Sequence, residues 1–361
     1  MSAEPGSTGR ERTPARGPRV RIAVCSPQVP FAHGGAEVLA EQLTDELRAR
    51  DHEAALVTLP FKWYPGERVL TQAFLWRLVD LEEADGRPID LVIGTKFPSY
   101  AVRHPNKVVW LVHQFRQAYE LDGTELGQFG DDPESRALRR AVHRLDRIVL
   151  GEARRLCAIS RNVAERLERS LGLEAEVVLP PPQRLDFHCD GYEDFVLSVG
   201  RLDRAKRVDL LLEALAAEPE LRCVIAGEGP DRTRLEELAR RDALDGRVTF
   251  AGRVGEAELA DLYARCLAVY YAPVDEDYGM VPYEAFLSEK PVVTTADAGG
   301  PLDVVADRRT GLVVEPRGES VAGAVRWLRE HPEDVRAWGR AGKTVAERVT
   351  WDHAIERLLA A

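Results

Sequence analysis

Two glutamates, Glu276 and Glu284, lie eight positions apart in the segment DEDYGMVPYEA. Gly279 and Pro282 between them predict a loop followed by a helix, since proline is tolerated in the first helical turn. A carboxylate can accept hydrogen bonds from two neighbouring hydroxyls, which suits a sugar at the first glutamate and a ribose at the second. Backbone N–H groups from Gly279 to Val281 would face the same ligand. The alternative is chance spacing in an acidic chain.

Two cations, Arg201 and Lys206, follow another apolar strand pattern in SVGRLDRAKRVDLL. A cationic pair at the end of a buried strand could balance the charge of a diphosphate. Gly34 and Gly35, in the segment HGGAE, would let backbone N–H groups approach an anion at a helix N-terminus. The structural alternatives are solvated charges and a flexible turn.

A histidine, His113, ends the apolar segment KVVWLVH, where ligands of parallel sheets bind. Such a histidine is as often structural as functional.

The sequence motifs of several other functional classes are missing. GEGPDR lacks the third glycine of a dinucleotide loop, and the sequence contains no P-loop, no nucleophile elbow and no His or Cys cluster with metal-ligand spacing. The sequence therefore predicts no metal site.

Short apolar strands alternate with helices along most of the chain, which predicts parallel α/β sheets covered on both faces. Three successive prolines in LPPPQ cannot occupy a helix interior or a central strand, so they mark a connector. We predict a disordered tail over 1–18, Rossmann-like domains over 19–183 and 184–335, and a helical segment over 336–361. Ligands would bind in the cleft between the domains.

The bulk composition limits the function classes. The chain has 361 residues and a net charge of -11, which argues against a nucleic-acid partner. Its five cysteines contain no C-x-x-C pair, which fits reduced thiols. No apolar run approaches the roughly 18 residues of a spanning helix, and the polar opening does not resemble a signal peptide. We expect a cytoplasmic protein.

In their order, these motifs resemble those of the family 4 retaining glycosyltransferases, or glycosyl transferases group 1. The motifs are GGAE, the strand-ending His113, GRLDRAKRVDLLLEAL, GEGP, FAGRV, EDYGMVPYEA, and GGPLDVV followed by TGLVVEP. The resemblance covers nearly the whole chain after the tail. It implies the GT-B fold, with two facing domains and a C-terminal helix that returns to the first. Tyr278 and Glu289 depart from the family pattern, which usually has phenylalanine and glycine there.

The resemblance also implies site residues. The implied catalytic residues are His113, Arg201, Lys206 and Glu276. The implied donor-binding residues are Gly34, Gly35, Val254, Gly279, Met280, Val281 and Glu284. The paired glycines and the two cations would bind the donor diphosphate, and Glu276 and His113 would contact the transferred sugar. Glu284 would hold the ribose, and Val254 would lie beside the base.

The implied activity is retaining transfer of a hexosyl unit from a nucleoside diphosphate sugar, with UDP or GDP as the favoured nucleotides. The acceptor would be a hydroxyl of a glycan, a lipid-linked sugar or a small molecule. Front-face attack would use the departing phosphate as the base, so we predict no cofactor and no divalent metal ion. The candidate acceptor residues, with ordinary surface residues as the alternative, are Lys96, Tyr100, Arg116 and Tyr119.

Two other functions stay open: a sugar-nucleotide-binding subunit without catalysis, and a nucleotide-sugar epimerase of the same fold. The oligomeric state is open too. Residues 134–155 predict a helix that is basic on one side, with an apolar stripe formed by Leu138, Val142, Leu145 and Ile148. Such a helix can lie weakly on the inner face of an anionic membrane. The alternative is a surface helix packed on its own sheet.

Overall fold

The computed structural model of the chain describes residues 19–31, 34–124, 127–182 and 185–360. The predicted tail over residues 1–18 lies outside the described residues. So do Gln183 and Arg184, the two residues on which the predicted domain boundary falls. The domain limits therefore stay predictions.

The first half of the chain builds one parallel sheet. Its elements are β1 (Arg21–Gln28), α1 (Gly35–Ala49), β2 (Glu53–Pro60), α2 (Arg68–Leu78), β3 (Glu83–Ala84), β4 (Arg87–Pro88), β5 (Leu91–Gly94), β6 (Lys107–Leu111), α3 (Pro133–Gly151), β7 (Arg155–Ala158), α4 (Arg161–Leu171) and β8 (Glu176–Val177). Six of these strands pair in the order β2-β1-β5-β6-β7-β8. The short strands β3 and β4 form a separate antiparallel hairpin.

The second half builds another parallel sheet. Its elements are β9 (Val196–Val199), α5 (Val208–Ala217), β10 (Cys223–Ala226), α6 (Arg232–Arg241), β11 (Val248–Gly252), α7 (Glu256–Arg265), β12 (Ala268–Tyr270), α8 (Val281–Leu287), β13 (Val292–Thr295), β14 (Gly311–Val314), α9 (Gly318–Glu330), α10 (Pro332–Ala346) and α11 (Trp351–Leu359). The strands pair in the order β11-β10-β9-β12-β13-β14. Every residue of β6 and β13 is buried, as expected for strands covered on both faces.

The strand order explains where a ligand site can form. In the first sheet the order reverses between β1 and β5, and in the second it reverses between β9 and β12. A parallel sheet opens a crevice at such a reversal, outside the carboxyl ends of its strands. The loops that leave these four strands carry Gly34, Lys96, Arg201 and Glu276, respectively. The topology therefore places the predicted site loops at the two crevices.

The last helix returns to the first sheet. In α11, Trp351 packs edge-on against Trp110 of β6, with 6.1 Å between ring centroids. Ala354, Ile355 and Leu358 are buried in the same core. The preceding helix, α10, packs instead on α8 of the second half. Of the predicted helical segment, only its final helix therefore crosses back.

The amphipathic helix α3 packs on its own domain. Val142 is fully buried, and Leu138 and Leu145 are partly buried against the core. Of the predicted apolar stripe, only Ile148 is exposed. The core therefore covers most of this stripe and leaves Ile148 as its one member open to a membrane. Across the described part of the chain, the helices are too short or too polar to span a bilayer.

Candidate active site

A cavity of about 620 Å³ lies where the two crevices face each other. The loops after β1, β5, β6, β9 and β12 contribute to its walls. Ten predicted site residues line it: Gly34, Gly35, Lys96, His113, Arg201, Lys206, Glu276, Gly279, Met280 and Val281. The structure thus brings together all four residues predicted to be catalytic, from strand ends far apart in sequence.

The side chains of Lys206 and Glu276 form an ion pair inside the cavity. The Tyr271 hydroxyl lies 3.3 Å from both the Lys206 ammonium and the Glu276 carboxylate. Burial opposes the charge on Lys206, but Tyr271 and Glu276 outweigh it and raise the pKa of the ammonium above its usual value. The lysine is therefore charged at neutral pH and available to an incoming anion.

A second cation, Arg201, is held far less tightly. Its side chain is 69% exposed, and its nearest carboxylate partner, Asp203, is 4.0 Å away. An exposed pair at this distance contributes little to stability. Arg201 can therefore reorient towards a phosphate at low cost.

The backbone after Glu276 turns sharply towards α8. Gly279 has a φ of 81°, and a Cβ atom there would lie 2.7 Å from the ring of Tyr271. Gly299 also has a positive φ and packs against the backbone of Glu276. The backbone of Glu276 exchanges hydrogen bonds with the two residues that flank Gly299. Among the described residues, no acceptor takes the N–H groups of Gly279 and Met280. These two donors remain free for a ligand.

The imidazole of His113 lines the opposite wall. Its Nδ1 lies 2.7 Å from the carbonyl oxygen of Gln114, and because a carbonyl can only accept, Nδ1 carries the proton. Burial lowers the pKa of His113, and the Asp277 carboxylate offsets this only in part. The ring is therefore neutral at pH 7, with Nε2 left as an acceptor for a hydroxyl.

The glycine loop before α1 is held by Glu37. Its carboxylate accepts from the N–H of Gly34 at 3.0 Å and also forms an ion pair with Lys96. The N–H of Gly34 is consequently engaged within the protein. Lys96, predicted as an acceptor contact, lies in the cavity wall but already neutralises Glu37.

The other three acceptor candidates do not line the cavity. The hydroxyls of Tyr100 and Tyr119 donate to Asp146 at 2.9 and 2.8 Å, and Tyr100 is fully buried. Arg116 donates to the carbonyl oxygen of Asp275 at 2.9 Å, across the domain interface. For Tyr100 we correct the prediction, because a side chain without exposed surface cannot contact an acceptor.

Glu284 and Val254, predicted beside the nucleoside, do not line this cavity either. The Glu284 carboxylate is buried and accepts from the Tyr263 hydroxyl of α7 at 2.7 Å. Burial raises the pKa of Glu284, and this hydrogen bond opposes the rise. Val254 is partly buried against the core. Their proposed roles therefore rest on the family resemblance and not on this geometry.

Sequence reasoning missed a charged network behind Glu276. Arg166 of α4 donates to Asp277 at 2.5 Å and lies 2.8 Å from the Asp275 carboxylate. Asn162, also on α4, donates to the carbonyl oxygen of Glu276 at 2.8 Å. The run of acidic residues in DEDYG was a signal that cations must lie opposite it. Nothing in the local spacing indicated which ones.

Comparison with known proteins identifies the family. The model of Glycosyltransferase Family 4 matches residues 33–182, and that of Glycosyl transferases group 1 matches residues 187–345. The D-inositol 3-phosphate glycosyltransferase of Mycobacterium avium (strain 104) is 30% identical over 272 residues. That match covers 69% of this chain and 63% of the relative, so the chain spans less than two thirds of the relative's length.

Solved structures share the fold. Sucrose-phosphate synthase from Thermosynechococcus elongatus superposes with a TM-score of 0.75 at 21% identity, covering 94% of this chain and 97% of that one. Anabaena HepE, solved in complex with UDP and glucose, gives a TM-score of 0.62 at 18% identity, covering 91% and 95%. The predicted GT-B fold is confirmed. The two matched segments together take in most of the chain, which is a member of glycosyltransferase family 4.

Proposed function

We propose that the chain is a retaining glycosyltransferase that moves a hexosyl unit from a UDP- or GDP-sugar to a hydroxyl of a glycan, lipid-linked or small-molecule acceptor. The observation that carries the proposal is the convergence of Arg201, Lys206 and Glu276 in one interdomain cavity. Membership of family 4 supports the activity. The relative from Mycobacterium avium is named a glycosyltransferase, and HepE was solved with UDP and glucose, which supports a nucleotide-sugar donor.

The diphosphate is assigned to the space between the glycine loop and the two cations. Arg201 is free to move, and Lys206 can share its charge between Glu276 and a phosphate. The free N–H groups of Gly279 and Met280 lie beside them. Glu276 then accepts hydroxyls of the transferred sugar, and Nε2 of His113 accepts another from the opposite wall.

The transfer breaks the bond between the anomeric carbon and the diphosphate oxygen, and the electron pair leaves with the nucleoside diphosphate. Arg201 and Lys206 stabilise the negative charge that develops on this oxygen. The acceptor hydroxyl attacks the same face of the sugar. Its proton passes to the departing phosphate, so the new glycosidic bond keeps the donor's configuration without a protein nucleophile or a metal ion.

The test is release of nucleoside diphosphate from a panel of UDP-, GDP-, ADP- and TDP-sugars, with and without acceptors. D-inositol 3-phosphate belongs in the acceptor panel because the relative is named for it. NMR of the product gives its anomeric configuration. Glu276→Gln should abolish turnover of the one active donor. Glu289→Gln is the matched control, since that carboxylate also pairs with a lysine, Lys343, outside the cavity.

Each outcome has a meaning. Inversion at the anomeric carbon would overturn the retaining mechanism. Activity lost in EDTA and restored by magnesium would overturn metal independence. A silent panel, combined with calorimetric binding of one free diphosphate, would favour the binding subunit. Interconversion of sugar nucleotides without an acceptor would favour the epimerase.

A further inference from the structure

The helix α2 exposes an apolar face. Phe74, Leu75 and Leu78 are 55%, 49% and 80% exposed, and their spacing places them on one side of the helix. The opposite side is buried through Val69 and Trp76. A face of large apolar side chains on the outside of a domain marks an interaction surface.

The neighbouring helix α3 exposes an arginine stripe. Arg140, Arg144 and Arg147 recur at spacings of four and three residues, so they share one face, and all three are exposed. No carboxylate in the described parts of the chain forms an ion pair with any of them. Ile148, beside them, is 53% exposed. These cations therefore stand unneutralised in a chain of net charge -11.

The two faces adjoin. At one end, a Cβ atom on Gly66, just before α2, would lie 3.1 Å from the side chain of Leu138 in α3. At the other end, Arg77 of α2 forms an ion pair with Glu152 at the end of α3, at 2.5 Å. Both helices also pack on the turn Ser99–Ala101. They therefore run side by side on one face of the first sheet, and their outward faces form one surface.

We propose that this α2–α3 surface, formed by Phe74, Leu75, Leu78, Arg140, Arg144, Arg147 and Ile148, docks the protein on an anionic lipid bilayer. Apolar side chains flanked by arginines fit the boundary between acyl chains and headgroups. The arginines meet the lipid phosphates, which supply the missing negative charge. Most of the apolar side chains of this surface come from α2, and its arginines come from α3. The proposal does not depend on glycosyl transfer.

A second copy of the chain fits this surface less well. Two-fold association through the same patch would place unpaired arginines of one copy against those of the other. Like charges brought together away from water are costly. An anionic bilayer has the opposite charge and an apolar interior, so it complements both halves of the surface.

The test is sedimentation of the whole protein with vesicles of phosphatidylcholine alone or mixed with equal phosphatidylglycerol. We expect binding to the mixed vesicles only. Replacing Arg140, Arg144 and Arg147 together with glutamine should lower the partition coefficient by roughly 100-fold, about fivefold for each arginine. Replacing Phe74, Leu75 and Leu78 together with serine should lower the binding that survives high salt.

The control replaces three other exposed arginines that form no ion pair with described residues, Arg222, Arg240 and Arg348, with glutamine. It removes the same charge elsewhere and should leave binding unchanged. Thermal unfolding of every variant checks that the fold persists. Three results would overturn the proposal: no binding to the mixed vesicles, an equal loss in the control, or light scattering that shows a dimer broken by the α2–α3 substitutions.

Discussion

Arg166 of the first domain donates a hydrogen bond to Asp277 of the second, with 2.5 Å between Nη1 and Oδ1. Both side chains are buried. Burial works against the charge on Asp277, but the guanidinium groups of Arg116 and Arg166 outweigh it and keep the pKa of Asp277 below its usual range. Since Asp277 adjoins Glu276, this pair fixes the position of the loop that carries Glu276 relative to the first domain.

Asp277→Ala should lower the free energy of unfolding by roughly 3 kcal/mol, because it leaves the buried cation of Arg166 with fewer partners. The double variant Arg166→Met/Asp277→Ala should lose less than the sum of the two single losses. Chemical denaturation of the four proteins measures the coupling. Strictly additive losses would show that the two side chains do not stabilise each other.

Removing either cavity cation should slow the reaction. Arg201→Ala and Lys206→Ala should each lower kcat by roughly 10²-fold, since in the proposed mechanism each removes a charge that stabilises the leaving diphosphate. Arg201→Ala should leave the melting temperature unchanged, because that side chain is largely exposed. Steady-state kinetics with the active donor checks the prediction, and an unchanged kcat would remove that residue from the role.

The ribose assignment of Glu284 can be separated from its structural role. Glu284→Ala should mainly raise the KM for the donor if the carboxylate holds the ribose. Tyr263→Phe is the matched control, because it removes the internal hydrogen bond at 2.7 Å and keeps the carboxylate. If both variants lose stability and neither changes KM, Glu284 is a core residue only.

The buried carboxyl group of Asp146 should make stability depend on pH. Burial raises the pKa of Asp146 to about 7, while the unfolded chain keeps a value near 4. The folded state therefore holds an extra proton between these values, and stability falls as pH rises from about 4 to 7, by at most about 1.4 kcal/mol per pH unit. Denaturation at pH 5 and 7 should show this fall in the wild type and a smaller one in Asp146→Asn. Equal falls would contradict the assignment.

The sequence predicted the parts of the site that depend on strand ends. Arg201, Lys206 and Glu276 follow apolar strands, and parallel strands bring their carboxyl ends to one edge of the sheet. Tyr100 and Tyr119 also follow apolar strands, yet their hydroxyls donate to the buried Asp146. Asp146 lies in α3, whose sequence predicted only a helix with a basic side and an apolar stripe. A strand-end rule gives the position of a residue but not the direction of its side chain.

The contact between Arg166 and Asp277 could not be predicted in this way. It joins residues 111 positions apart, on elements of different domains. Charge patterns predict that acidic residues need partners, but the partner depends on how the domains approach each other. An arginine-rich sequence contains many possible cationic partners for Asp277, and the sequence alone does not distinguish them.

The return of α11 to the first domain means that the polypeptide crosses between the domains twice. One crossing follows β8, where the carbonyl oxygen of Pro180 accepts from the Tyr278 hydroxyl at 2.5 Å. The other leads from α10 to α11, where Asp352 pairs with Arg50. Two separated crossings define a single axis of easy rotation and oppose sliding or twisting of one domain over the other. A rotation of one domain against the other would therefore follow this axis, which keeps the two walls of the cavity in register.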